Sequence, residues 1–190
     1  VGLSCAAVAG ESASGGRSGV FAFIDKLRPS DWGHFSSAPV AGSSRTENRF
    51  GYSVAIDGDT VVVGMRYEGA AYVFRTTDGG ATYVEVAKLT VAGVVSYDNL
   101  GYSVAIDGST IVVGTDGGEA AYVFRTSDGG ATYGQVAKLT AADAATYDHF
   151  GESVAIDGDT ILVAAHYESY RRGAVYVFRT SDGGVTYGQV

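Results

Sequence analysis

One phrase recurs along the chain and leaves few folds open to it. "GYSVAIDG" at Gly51–Gly58 returns at Gly101–Gly108 and, as "GESVAIDG", at Gly151–Gly158. Aligned without gaps, Phe50–Asn99 and Leu100–His149 agree at about two positions in three, and another copy starts at Phe150. A worn copy precedes them. "AAVAGES" at Ala6–Ser12 lines up with "ILVAAHY" at Ile161–Tyr167, and "VFAF" at Val20–Phe23 falls on "VYVF" at Val175–Phe178. A period of about 50 residues points to propellers, solenoids or arrays, whose units bury their apolar surface only by stacking.

Each unit reads as four short strands. "YSVAI" is the first and ends at Asp57-Gly58, a dipeptide suited to a tight hairpin. "TVVVG" is apolar on both faces, as a strand covered on both sides should be. "AAYVFRT" and "TYVEVAKLT" follow, with the turn residues "TDGGA" near their junction. No apolar period of 3.6 residues is sustained, so helices should be nearly absent. Four antiparallel strands per unit predict an all-β chain of propeller blades. The expected units are a partial degenerate blade at 1–49, blades at 50–99 and 100–149, and a partial blade at 150–190. The chain starts and stops inside blades, so an incomplete propeller is expected, its ends met by the rest of a propeller or by another copy.

Three stretches carry a family resemblance: "FGYSVAIDGDTVVVG…GAAYVF", "LGYSVAIDGSTIVVG…AAYVF" and "FGESVAIDGDTILVA…GAVYVF". They resemble FG-GAP repeats, the blades of the integrin-alpha-type propeller. Phe50-Gly51, Leu100-Gly101 and Phe150-Gly151 match the motif that opens the innermost strand. The Gly-Ala-Pro after the second strand is eroded to Gly64-Met65-Arg66, Gly114-Thr115-Asp116 and Ala164-Ala165-His166. The resemblance implies extracellular or cell-surface proteins that bind other macromolecules, with adhesion-like roles. Nested inside, Thr76–Tyr83, Thr126–Tyr133 and Thr180–Tyr187 are similar to the Asp box of sialidase-like propellers. The corresponding stretch around Asp31-Trp32-Gly33 has lost that pattern. Among Asp-box proteins the motif stabilises a hairpin, which implies structural roles for Asp78, Asp128 and Asp182.

Chemistry is harder to find. The formal charge of −8 repels phosphate backbones, so nucleic acid is not an expected partner. No apolar run approaches the roughly 18 residues of a membrane-spanning helix. Cys5 is the only cysteine, which excludes an intrachain disulfide and a cysteine-based zinc cluster. Calcium needs about six to eight oxygens, and the tight "DGD" and "DGS" turns are too short to wrap an ion. Asp57, Asp107 and Asp157 are therefore expected to be turn residues bonding nearby amides. The acids of the connectors Thr46-Glu47-Asn48, Tyr97-Asp98-Asn99 and Tyr147-Asp148-His149 are expected to bond backbone near the following glycine. Asp78, Asp128 and Asp182 recur once per unit, too far apart for the carboxylate pair, within about 10 Å, of glycoside hydrolysis. Arg75, Arg125 and Arg179 recur likewise. His34, His149 and His166 fall in different units without metal-ligand spacing, and Ser4 and Cys5 sit in no nucleophile elbow. No catalytic residue, cofactor or metal is expected.

What varies is the phrase between the second and third strands: "MRYEG", "TDGGE" and "AHYESYRRG", the last four residues longer. Tyrosine and arginine are enriched at interface hot spots. Arg66, Tyr67, His166, Tyr167, Tyr170, Arg171 and Arg172 are thus the candidate partner-binding residues, against the plainer reading of a solvated loop covering the sheet edge. The expectation is a non-catalytic module presenting variable loops to a protein or glycan. The alternative is a segment of a glycosidase-like hydrolase whose catalytic residues lie outside this chain.

Overall fold

A computed structural model of the chain describes residues 49–190. The worn copy, Asp31-Trp32-Gly33, Glu47, Ser4, Cys5 and His34 lie outside the described residues, as does the side chain of Tyr170. Twelve strands form three separate antiparallel sheets, each a four-stranded meander in chain order. The first blade holds β1 (Phe50–Asp57), β2 (Thr60–Met65), β3 (Ala70–Arg75) and β4 (Val84–Leu89). The second holds β5 (Ser103–Asp107), β6 (Thr110–Gly114), β7 (Ala121–Arg125) and β8 (Gly134–Leu139). The third holds β9 (Phe150–Asp157), β10 (Thr160–Ala165), β11 (Ala174–Arg179) and β12 (Gly188–Gln189). Among the described residues helix is confined to α1 (Glu168–Arg171) and one 3-10 turn at Ser96–Asp98. The all-β fold of propeller blades is as the sequence indicates, and the described residues make up three such blades.

Local chemistry explains the strands. Asp57 pairs with Thr60, so the first hairpin loop is Gly58-Asp59, with Gly58 at φ +52°. Glycine at the first loop position tolerates that angle without cost. At the other end of β1 the register slips between Phe50 and Ser53, where Gly51 takes φ +86°. This bulge turns the residue after the Phe-Gly pair towards the rim of the blade.

The apolar core lies between blades. Val62, Ala71, Val73 and Leu89 of the first sheet share a cluster with Leu100, Val104, Ile111, Val113 and Phe124 of the second. Val112, Ala121, Val123 and Leu139 then meet Phe150, Ile161, Val163, Tyr176 and Phe178 of the third. All five residues of β6 are buried because a blade covers each side of it.

The same three bonds fasten each joint. Ser53 Oγ donates to the Gly101 carbonyl at 2.9 Å, and Ser103 Oγ to that of Gly151 at 2.7 Å. The Gly108 amide donates to Asp57 Oδ2 at 2.6 Å, and the Gly158 amide to Asp107 Oδ2 at 2.5 Å. Arg75 Nη1 donates to the Gly129 carbonyl, and Arg125 Nη1 to that of Gly183. This corrects the expectation for Asp57 and Asp107: their carboxylates bind the amide of the next blade's turn, about 50 residues away, and not their own. The connector acids also differ from expectation. Asp98 and Asp148 accept the amides of Val95 and Ala145, three residues upstream, instead of bonding towards the following glycine.

Candidate functional site

In a meander blade the β2–β3 loop and the connector from the preceding blade end on the same rim. The amides of Asp116 and Gly117 both donate to the Asp98 carbonyl at 3.2 Å, and that of Tyr167 to the Asp148 carbonyl at 3.2 Å. The rewritten loops of the second and third blades are thereby tied to the connectors beside them.

Arg66, just past β2, is the centre of the first part of this rim. Its guanidinium carbon lies 4.7 Å from the ring centre of Tyr52, 4.8 Å from that of Tyr67 and 4.8 Å from that of Tyr102. Its Nη1 donates to the Tyr52 hydroxyl at 3.0 Å, and its Nη2 lies 3.7 Å from Asp116 Oδ2. A partly desolvated cation against ring faces is held by the rings' quadrupoles, each contact contributing about 0.5–2 kcal/mol. The rings of Tyr52 and Tyr102 pack at 4.9 Å. The Tyr102 hydroxyl is pushed up to about 12, first by the Tyr52 hydroxyl beside it and then by burial, so it stays neutral at physiological pH.

From Tyr102 the rim continues into the third blade. The Tyr102 hydroxyl donates to Glu152 Oε1 at 3.4 Å, and the other Glu152 oxygen meets His166 Nδ1. His149 Nδ1 lies 2.6 Å from Asp116 Oδ1. The rings of His149 and His166 are 5.2 Å apart, and Tyr167 packs against both at 4.7 and 4.1 Å. Arg171 covers Tyr167 with its guanidinium carbon 4.8 Å from the ring centre, and Arg172 is exposed. Glu119 has a different task. Its Oε1 accepts the amides of Tyr147 and His149 at 3.0 and 3.1 Å, and its Oε2 that of Phe150 at 2.8 Å. It therefore sets the path of the connector that delivers His149.

Of the candidates chosen from sequence, Arg66, Tyr67, His166 and Tyr167 share this rim. Arg66 and His166 are linked through Asp116–His149 and Tyr102–Glu152 rather than by contact. Sequence reasoning missed Tyr52, Tyr102 and Glu152, which occupy one repeat position inside an otherwise constant word. That position was the available signal, since it reads Tyr, Tyr and Glu while its neighbours stay fixed. Among the described residues no three His, Cys, Asp or Glu side chains are placed to hold a metal, and no helix is long and apolar enough to cross a membrane.

The opposite rim carries the Thr-x-Asp hairpins. Asp128 Oδ1 accepts Thr126 Oγ1 at 2.7 Å and the Thr132 amide at 2.9 Å, while Oδ2 accepts Thr132 Oγ1 at 2.6 Å. Asp78 and Asp182 repeat the arrangement within 0.1 Å. The Thr82, Thr132 and Thr186 hydroxyls lead the donors that hold these three carboxyls well below the usual carboxylate range. A depressed folded-state value means the stabilisation is complete above the ordinary value of 3.8 and is lost as pH falls below it. Replacing all three aspartates by asparagine should therefore flatten the loss of stability between about pH 4 and pH 2, read from urea midpoints. A variant with the wild-type slope in that range would contradict this.

The FG-GAP repeat model matches residues 40–84, 83–133 and 133–178, well over half of the chain. The chain belongs to the FG-GAP repeat family. Each of the last two matched units spans the fourth strand of one blade and the first three of the next, so the repeat is phased across the joint. FG-GAP propellers are generally scaffolds for interaction. No curated protein matches the chain. Among solved structures, Sqt1 of Saccharomyces cerevisiae aligns with TM-score 0.52 at 12% identity, over 76% of this chain and 35% of that one. A protein from Lactobacillus plantarum aligns with TM-score 0.52 at 17% identity, over 72% and 40% respectively. At such identities the likeness is one of fold, and the FG-GAP chain spans 35% and 40% of these neighbours' lengths.

Proposed function

We propose that this FG-GAP chain is a non-catalytic interaction module that presents one rim to a protein or glycan at the cell surface or outside the cell, in an adhesion-like role. One observation carries the reading: the phrases that differ between repeats converge on a single rim. There they place Arg66, Tyr67, Asp116, His166, Tyr167 and Arg171 in one connected band. The polar groups that stay constant from copy to copy serve the joints and the hairpins. Ring faces beside an arginine and carboxylates suit both peptide and sugar surfaces, and such anchors dominate binding energies. On this reading Asp78, Asp128 and Asp182 are structural Asp-box residues, their oxygens satisfied within their own hairpins. The alternative, a hydrolase segment whose catalytic residues lie outside this chain, has no observation of its own.

The test is a glycan array and a displayed peptide library probed with the labelled chain. Ligands recovered should bind the Tyr167→Ala/Arg171→Ala/Arg172→Ala variant at least about tenfold more weakly, a loss of about 1.4 kcal/mol. Ser127→Ala, on the opposite rim, should leave binding unchanged. Equal affinity for the rim variant and the wild type would overturn the assignment of the rim.

A further inference from the structure

Two histidines from different repeats meet at the joint between the second and third blades, and the scaffold demands neither. His149 takes the place of Arg49 and Asn99 in the other copies, and His166 that of Arg66 and Asp116. Each sets its Nδ1 against a carboxylate, Asp116 for His149 at 2.6 Å and Glu152 for His166. A carboxylate that accepts from Nδ1–H fixes the tautomer and leaves the lone pair of the neutral ring on Nε2, the arrangement found behind metal-ligating histidines. No hydrogen bond among the described residues engages either Nε2.

The spacing of the rings fits as well. Two imidazoles sharing one tetrahedral zinc ion, with Zn–N of about 2.0–2.1 Å, have ring centres about 5 Å apart. The observed separation is 5.2 Å. The two side chains are 29% and 46% exposed, so an ion and its remaining ligands have access. Glu119 anchors the backbone around His149 through three amides, which keeps one side of the pair in place. Because no third side chain of the described residues completes a ligand group, two of the four positions would be filled by water or by a donor from a bound partner.

We propose that His149 and His166 form a two-imidazole site for a borderline divalent transition ion, zinc foremost, with Asp116 and Glu152 as the carboxylates that orient them. Imidazole selects zinc over magnesium or calcium, which prefer oxygen ligands. The site needs no partner for its first two ligands, so it stands or falls separately from the interaction reading.

Titration calorimetry of the whole chain at neutral pH tests it directly. Zinc should bind saturably at one ion per chain, whereas calcium and magnesium should not compete. His149→Gln/His166→Gln should abolish that event, and Asp116→Asn or Glu152→Gln should weaken it about ten- to a hundredfold. A far-UV spectrum identifies any variant that fails to fold. In that event the imidazole resonances of the wild-type chain, which zinc should shift for His149 and His166 alone, give the same answer. Absence of saturable zinc binding, binding that survives in the double variant, or unshifted resonances of these two histidines would overturn the proposal.

Discussion

Gly101→Ala should destabilise the fold by about 2–5 kcal/mol, lowering the thermal midpoint by roughly 5–15 °C. Two costs combine at this position. Gly101 has φ +88°, where a residue with a Cβ loses about 1–2 kcal/mol. The added carbon would also lie 2.2 Å from the Ala70 carbonyl oxygen and 2.9 Å from the Met65 amide nitrogen. Both are backbone atoms of the preceding blade and cannot swing aside, so the joint itself would have to open, at about 1–3 kcal/mol for overpacking. Gly58→Ala separates the terms. Gly58 also has positive φ, +52°, but no atom stands within 4 Å of its would-be Cβ. It should lose only about 1–2 kcal/mol. Thermal melts followed by circular dichroism compare the two, and equal midpoints would show that close contact between blades is not the reason for the glycine.

Phe150→Ala should cost about 3–5 kcal/mol. Phe150 is fully buried, its ring 5.4 Å from Tyr176 and 6.1 Å from Phe178, within the cluster that joins the second and third blades. Phe150→Leu should cost less than about 1.5 kcal/mol, because Leu100 fills the equivalent place in the second blade with no exposure at all. Urea unfolding checks the pair. A leucine variant as damaged as the alanine one would mean that ring-on-ring geometry, and not filled volume, holds this joint.

The blade architecture was readable because every device that builds it is local or recurs. The second strand apolar on both faces, the Asp57-Gly58 turn and the Phe/Leu-Gly start of each unit state their conformation within a few residues. The joints were not readable in the same way. Asp57 looks like any turn aspartate, and only the stacking of blades brings the Gly108 amide to it. The position before each Phe/Leu-Gly pair takes a left-handed backbone at Arg49, Asn99 and His149, with φ of 53°, 56° and 58°. Asparagine and histidine hint at this from their types, and arginine does not. For the rim, variability pointed to the loops but not to the residues they touch. Tyr52, Tyr102 and Glu152 were hidden inside a conserved-looking word, and Asp116 looked like part of a glycine-rich loop. Glu119 gave no local sign that it would gather three amides from a connector nearly thirty residues on.

The three-bond fastening has a polarity: serine, aspartate and arginine of one blade always reach forward to glycine backbone of the next. Such a coupling works like a plug and socket, with every copy carrying one of each. Unequal recombination between near-identical copies would then lengthen or shorten the gene by whole units, every new seam ready-made, while the loops drift freely. A chain of this design evolves in recognition and in size through separate genetic events.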